Sequence, residues 1–175
     1  APEQARPLLE KAKQNYGFVP NLLAVMAHAP ATLEAYMTLS GLFDKTSLSP
    51  TERQVVLLAI SAENQCTYCV AAHTVIAQMQ KVDTDVVEAI RNGEPIPDDK
   101  LEALRRFAVE VVTTRGWPSD EARQAFHDAG YSEAHVLEVI LGVGMKTLSN
   151  YTNHAAETPL DEAFSDAAWE PASGK

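Results

Sequence analysis

Apolar residues recur along this chain at intervals of three and four, and no stretch alternates apolar and polar residues long enough to argue a strand. The spacing predicts an all-α, single-domain helical bundle. Leu8, Leu9, Ala12 and Tyr16 mark a first helix that Gly17 ends, and Pro20 opens a short helix through Met26. Ala31 to Phe43 carries Leu33, Tyr36, Met37, Leu39, Leu42 and Phe43 on one broad apolar stripe. Ser49-Pro50-Thr51-Glu52 joins an N-cap serine, a proline at the first helical position and a glutamate placed to complete a capping box. It predicts a helix from Pro50 to about Ala62, and its run from Val55 to Ile60 is apolar on all sides, as in a helix buried against several neighbours.

Glu63-Asn64-Gln65 breaks that helix, and a new one carries Cys66 to about Lys81. Asp83 or Thr84 caps a short helix ending at Gly93, and Pro95-Ile96-Pro97 forms a connecting turn. Asp98 or Asp99 starts a helix through about Arg115, with Leu101, Leu104, Phe107, Ala108, Val111 and Val112 facing inward. Ser119 caps the next, which stops at Gly130, and Ser132 caps a last long helix. There Val136, Leu137, Val139, Ile140, Leu141, Val143, Met145 and Leu148 leave little polar face, the pattern of a helix buried in a core or an oligomer interface. Gly142 and Gly144 weaken it by about 1 kcal/mol each relative to alanine, a loss that close helix packing would offset. The domain is expected to span residues 1–157. The stretch 158–175, with Pro159, Pro171 and Gly174, reads as a polar, loosely attached tail.

Composition narrows the function. With 46% hydrophobic and 22% charged residues the chain is an ordinary folded protein. Its 24 acidic against 14 basic side chains give a formal net charge of −10, a field that repels nucleic-acid phosphates and anionic membranes. No apolar run approaches the roughly 18 to 20 residues needed to cross a bilayer, and no charged-then-apolar leader opens the sequence. The expected location is the cytoplasm, where a lone close pair of cysteines is more often catalytic or metal-binding than a structural staple.

That pair is the main chemical signal. Cys66 and Cys69 are the only cysteines, in Glu63-Asn64-Gln65-Cys66-Thr67-Tyr68-Cys69-Val70-Ala71-Ala72-His73. On a helix of about 3.6 residues per turn, positions 66, 69 and 73 share a face. Three readings fit: a redox pair that closes a short disulfide beside a base, a zinc site, or two inert cysteines packed as small hydrophobes. Structural zinc normally collects four ligands, and this chain offers one pair plus His73 and perhaps Glu63.

A position in the first helical turn favours the redox reading, because the helix dipole and unpaired N–H groups stabilise a thiolate there. On bare physics Cys66 would gain more from the dipole and be the more exposed. His73 can take the thiol proton or, once charged, steady the thiolate. A glutamate near that imidazole can shuttle protons. Glu63, beside the thiols, suits this better than Glu52, which the capping box already occupies. Tyr68 can donate to a substrate oxygen, and His154, in Asn150-Tyr151-Thr152-Asn153-His154, belongs to a polar cluster able to meet the site. His28, His127 and His135 read as surface or helix-end residues.

The run Ala59–His73, with Leu48-Ser49-Pro50-Thr51-Glu52-Arg53 upstream and Asn150–His154 downstream, closely resembles the alkyl hydroperoxidase D-like branch of the carboxymuconolactone decarboxylase family. The resemblance implies an all-α bundle of the alkyl hydroperoxidase D-like type, assembled as trimers or hexamers. It also implies a thiol-dependent peroxidase that uses no metal or other cofactor. Cys69 would attack the hydroperoxide and become a sulfenic acid, Cys66 would resolve it to a disulfide, and His73 would match the relay histidine. A lipoylated or thioredoxin-like protein would restore the dithiol. The relay carboxylate of the founding members, twelve residues before the first cysteine, is replaced here by Gln54, which leaves Glu63 as the alternative acid. The competing functions are a decarboxylase like the one that names the family, and a non-enzymatic redox sensor or metal-binding scaffold.

Overall fold

The computed structural model describes residues 1–171, and among them the regular structure is helical throughout. The α-helices are α1 (Arg6–Tyr16), α2 (Asn21–Met26), α3 (Pro30–Phe43), α4 (Pro50–Glu63), α5 (Thr67–Met79), α6 (Thr84–Asn92), α7 (Asp99–Thr113), α8 (Asp120–Asp128) and α9 (Glu133–Ala156). Short 3-10 segments at Glu3–Ala5 and Glu162–Ala167 flank them. Every helix that the apolar spacing predicts is present, and the ends fall where cap chemistry puts them. Gly17 takes a φ of 80° at the end of α1, a left-handed conformation that costs glycine nothing. At the start of α4 the capping box closes in both directions, Glu52 N donating to Ser49 Oγ and Ser49 N to Glu52 Oε2 at 2.8 Å.

α4 is the central element. Every residue from Gln54 to Ser61 is buried, because α5, α6, α7 and α9 all pack on it. One apolar core gathers around Phe43, Val55, Leu58, Ile60, Leu104, Phe107 and Phe126. A second, smaller core is built from α1, α2, the start of α5 and the C-terminal segment, and it contains Cys66, Tyr68 and Cys69. Gly142 meets the expectation of close packing, since a Cβ there would lie 2.9 Å from Val56 Cγ1 and 3.1 Å from Phe43 Cε2. Gly144 does not, for it faces open space on the exposed side of α9.

α9 departs from the sequence expectation in a way that matters for chemistry. Its buried positions include Lys146, Ser149, Asn150 and Asn153, while Leu137, Ile140 and Tyr151 are 67%, 47% and 60% exposed. The second half of this helix therefore turns a polar stripe inward.

The loosely attached tail is also corrected. Residues 158–171 fold back over the molecule, with Phe164 and Ala167 buried. Asp161 accepts hydrogen bonds from Asn21 N at 3.1 Å and from Tyr68 Oη at 2.5 Å. Arg91 donates to Ala167 O and Ala168 O, and Trp169 Nε1 donates to Arg91 O at 2.8 Å. Polar composition misled the sequence reading, because the carboxylate and carbonyls that look solvated are acceptors for partners far away in sequence. The part of the expected tail at 172–175 lies outside the described residues.

Candidate active site

The break between α4 and α5 sets the thiols. Gln65 turns the chain with a φ of 54°, a conformation uncommon outside glycine, and Asn64 Nδ2 anchors the turn to Asn150 Oδ1 at 2.9 Å. Cys66 N then donates to Ser61 O at 2.9 Å, which leaves Cys66 at the N-cap of α5 and Cys69 at its third helical position. Both thiols are free and buried, at 1% and 2% exposure. The greater exposure expected for Cys66 is not found.

The two sulfurs are not equivalent. Asn153 Nδ2 lies 3.2 Å from Cys69 Sγ and 3.8 Å from Cys66 Sγ. Burial works to push the Cys69 thiol up. A hydrogen bond from the Cys66 thiol, the Lys146 ammonium, Asn150 and Ser149 outweigh it and hold Cys69 well below the ordinary thiol value. Cys66 is pushed the other way, first by the neighbouring Cys69 sulfur and then by burial. The surroundings thus favour ionisation of Cys69 over Cys66, reversing the advantage that helix position alone suggested for Cys66.

His73 sits one turn further along α5, fully enclosed. Gln54 Nε2 donates to Gln80 Oε1 at 3.2 Å, which fixes the amide so that its Oε1 faces His73 Nδ1 at 3.0 Å. His73 therefore carries its proton on Nδ1, and its Nε2 accepts from Lys146 Nζ at 3.0 Å. Burial and the lysine both hold the imidazole well below its usual value, so it is neutral. Lys146 itself is 1% exposed.

The other expected residues fall outside this cluster. Glu63 lines a small recess of about 70 Å³ shared with Arg91, Arg105 and Trp169. Glu52 is held in the capping box and by Tyr131 Oη at 3.0 Å and Lys100 Nζ at 3.3 Å, a structural position far along α4 from the thiols. Tyr68, expected as a donor to substrate, gives its proton to Asp161 and accepts from Leu22 N, so it fastens the C-terminal segment instead. His154 is exposed and stacks on Tyr151 at 6.4 Å between ring centroids, while its neighbour Asn153 is the member of that polar run that reaches the sulfurs.

Sequence reading missed Lys146 and Ser149, and it placed Asn150 and Asn153 in the polar run around His154 without giving either a role. The signal was present, since these four positions follow an interval of three, one and three and so share a helix face, but the apolar stretch from Val136 to Met145 dominated the pattern.

A cavity of about 410 Å³ lies beside the first turn of α5, lined by Thr67, Tyr68, Thr158, Leu160, Ala168, Trp169 and Glu170. Two buried polar atoms have no hydrogen-bond partner among the described residues, Thr158 Oγ1 in the cavity lining and Asn153 Oδ1 on the side chain that contacts the sulfurs. Buried acceptors are normally satisfied, so both can receive a substrate proton. Among the described residues no group of three or more His, Cys, Asp and Glu side chains is placed to hold a metal ion, and no helix is long and apolar enough to cross a membrane.

Residues 30–110 match the model of the carboxymuconolactone decarboxylase family, a stretch containing Gln54, both cysteines and His73. No curated protein matches the sequence. Among solved structures, a peroxidase-related protein from Ralstonia eutropha JMP134, described as an alkylhydroperoxidase AhpD core, is similar with a TM-score of 0.82 at 24% identity, over 93% of this chain and 88% of that one. A peroxidase-related protein from Silicibacter sp. TM1040 gives 0.80 at 19% identity, over 93% and 87%. The debrominase Bmp8 gives 0.79 at 21% identity, over 94% and 90%. At these identities the likeness is one of fold.

Proposed function

We infer that this chain, whose residues 30–110 belong to the carboxymuconolactone decarboxylase family and whose fold is that of the alkyl hydroperoxidase D-like branch, is a thiol-dependent peroxidase. One observation carries the reading: a buried pair of free cysteines at the start of α5, with Asn153 Nδ2 3.2 Å from Cys69 Sγ and 3.8 Å from Cys66 Sγ. The Cys69 thiolate attacks the terminal oxygen of a hydroperoxide, the O–O bond breaks, and the alkoxide leaves as an alcohol once protonated. Cys69 is then a sulfenic acid. Cys66 displaces its hydroxyl as water and the Cys66–Cys69 disulfide forms. Two further thiols from a lipoylated or thioredoxin-like protein return the pair to the dithiol. His73, joined to Gln54 rather than to a carboxylate, is neutral and orients its neighbours instead of relaying protons to an acid.

The test is intact-mass measurement of the alkylated protein before and after one equivalent of hydroperoxide, alongside peroxide consumption with a dithiol. The expected result is a loss of two protons that the dithiol reverses, with turnover. Two thiols that stay reduced in the presence of peroxide would overturn the reading.

A second reading is reductive debromination, favoured by the size of the cavity and its Tyr68 and Trp169 walls. A dithiol supplies the same two electrons, replaces C–Br by C–H and releases bromide and a proton as the disulfide forms. A solved structure of a cysteine-to-alanine variant of Bmp8 holds 2,3,4-tribromopyrrole. Bromide release from that compound, with no consumption of peroxide, would favour this second reaction.

The exposed apolar face of α9, with Leu42 of α3 beside it, supports assembly as trimers or hexamers. Light scattering is expected to give a multiple of 19.0 kDa. A concentration-independent monomer would refute the assembly and leave the chemistry standing.

A further inference from the structure

The peroxidase reading names no proton source for the departing alkoxide, and a buried cation stands beside the thiols. Lys146 is 1% exposed, and the group its ammonium touches, His73 Nε2, belongs to a neutral imidazole. A buried charge paired only to a neutral group is costly, on the order of several kcal/mol, unless an anion shares its surroundings. In the family pattern a carboxylate stands behind the histidine and would supply that anion through the ring. Here Gln54 stands there, uncharged, its two ends engaged by His73 and Gln80.

We propose that Lys146 is the counter-ion of the Cys69 thiolate and the proton source for the reaction, a buried lysine–thiolate pair that takes the place of a carboxylate–histidine relay. Its second half rests on the peroxidase reading; the ion pair does not. The titratable groups around the pair are His73 and Tyr68 from α5, Cys66 at its N-cap and Tyr36 from α3, and α4 contributes Gln54, which does not titrate. Residues 146 and 153 lie two turns apart on one face of α9, and that face meets α5 through Lys146 Nζ on His73 Nε2 at 3.0 Å and Asn153 Nδ2 on Cys69 Sγ at 3.2 Å, which places the ammonium one helical turn from the sulfur.

The protons balance within the site. The reduced state holds Cys69 S⁻, Cys66 SH and Lys146 NH₃⁺. Attack on the hydroperoxide gives Cys69 S–OH and an alkoxide, which takes a proton from Lys146 and leaves as an alcohol. The resulting amine accepts the Cys66 proton, and Cys66 sulfur attacks Cys69. The departing hydroxide takes that proton back and leaves as water. The site ends with a disulfide and a neutral lysine, so no step leaves an unpaired charge in the interior.

The test follows the ultraviolet absorbance of the thiolate in the reduced protein as a function of pH, for the wild type and for Lys146→Met, which keeps the length of the side chain without its charge. The wild type is expected to hold one thiolate at neutral pH. In Lys146→Met its titration should move up by about 1 to 3 pH units, as removal of a nearby opposite charge requires. The reaction with hydroperoxide at neutral pH should slow by about 10 to 1000-fold, recovering as pH rises. A merely structural lysine would leave the thiolate titration in place. Two ordinary thiols in the wild type would overturn the proposal even if the variant does not fold, and so would a Lys146→Met protein that keeps its low titration. A wild-type thiolate that consumes no hydroperoxide would retain the ion pair and remove the peroxidase reading.

Discussion

Cys69→Ser is expected to bring peroxide turnover down to the uncatalysed background, whereas Cys66→Ser should still react once and stop. The difference follows from the inequality of the sulfurs. Cys69 is the thiolate, stabilised by the Cys66 thiol, Lys146 and its neighbours on α9, and a serine hydroxyl in its place stays protonated and inert at neutral pH. Cys66→Ser keeps the nucleophile and a hydroxyl able to donate to it, but loses the sulfur that resolves the sulfenic acid. Mass spectrometry of that variant after peroxide, with a dimedone trap, should place one added oxygen on Cys69. The opposite pattern, a dead Cys66→Ser and a sulfenic acid on Cys66, would reverse the roles, and normal turnover in both variants would discard the cysteine mechanism.

Asn153→Ala should lower kcat/KM for hydroperoxide by about 100-fold, the loss that accompanies removal of one preorganised donor from a developing or resident anion. Its Nδ2 touches both sulfurs, and its buried Oδ1, unpartnered among the described residues, is an acceptor open to the hydrogen bond of a bound hydroperoxide. Two effects therefore add, a weaker thiolate and a poorly placed substrate. Steady-state kinetics at neutral pH, with circular dichroism confirming the helical fold, measures the change. An unaltered kcat/KM would mean that Lys146 and Cys66 alone set the reactivity of Cys69.

The helices were legible because their ends are written in local chemistry. Ser49-Pro50-Thr51-Glu52 and Gly17 act within one turn of themselves, so no tertiary contact is needed to place them. The cysteine pair, His73 and the replacement at Gln54 were legible for a related reason, since spacing along one helix and distance along the chain to α4 carry them. What lay hidden was contributed from far away. Asn153 and Lys146 approach from more than seventy residues downstream; Lys146 follows a long apolar stretch, and Asn153 lies in a polar run in which the sequence drew attention to His154 instead. Only the packing of α9 against α4 and α5 turns those side chains inward and makes them the polar wall of the site. Glu63 misled for the converse reason. Adjacency in sequence to Cys66 suggested a part in the thiol cluster, whereas in space Glu63 lines a recess with Arg91, Arg105 and Trp169.

The second core is assembled from the two extremities of the described chain. Ala5, Ala12, Leu22 and Met26 reach it from one side, Phe164 and Ala167 from the other, and the sulfurs lie between them. Such margins are where fraying begins in most domains, and here Asp161 stitches them together by accepting hydrogen bonds from Asn21 N and from Tyr68 Oη at once. The cooperative unit of folding accordingly reaches at least to Trp169, whose indole closes on Arg91. The thiols therefore share their burial with both extremities, and hydrogen-exchange protection at the start of α5 reports on how firmly those extremities are closed over them.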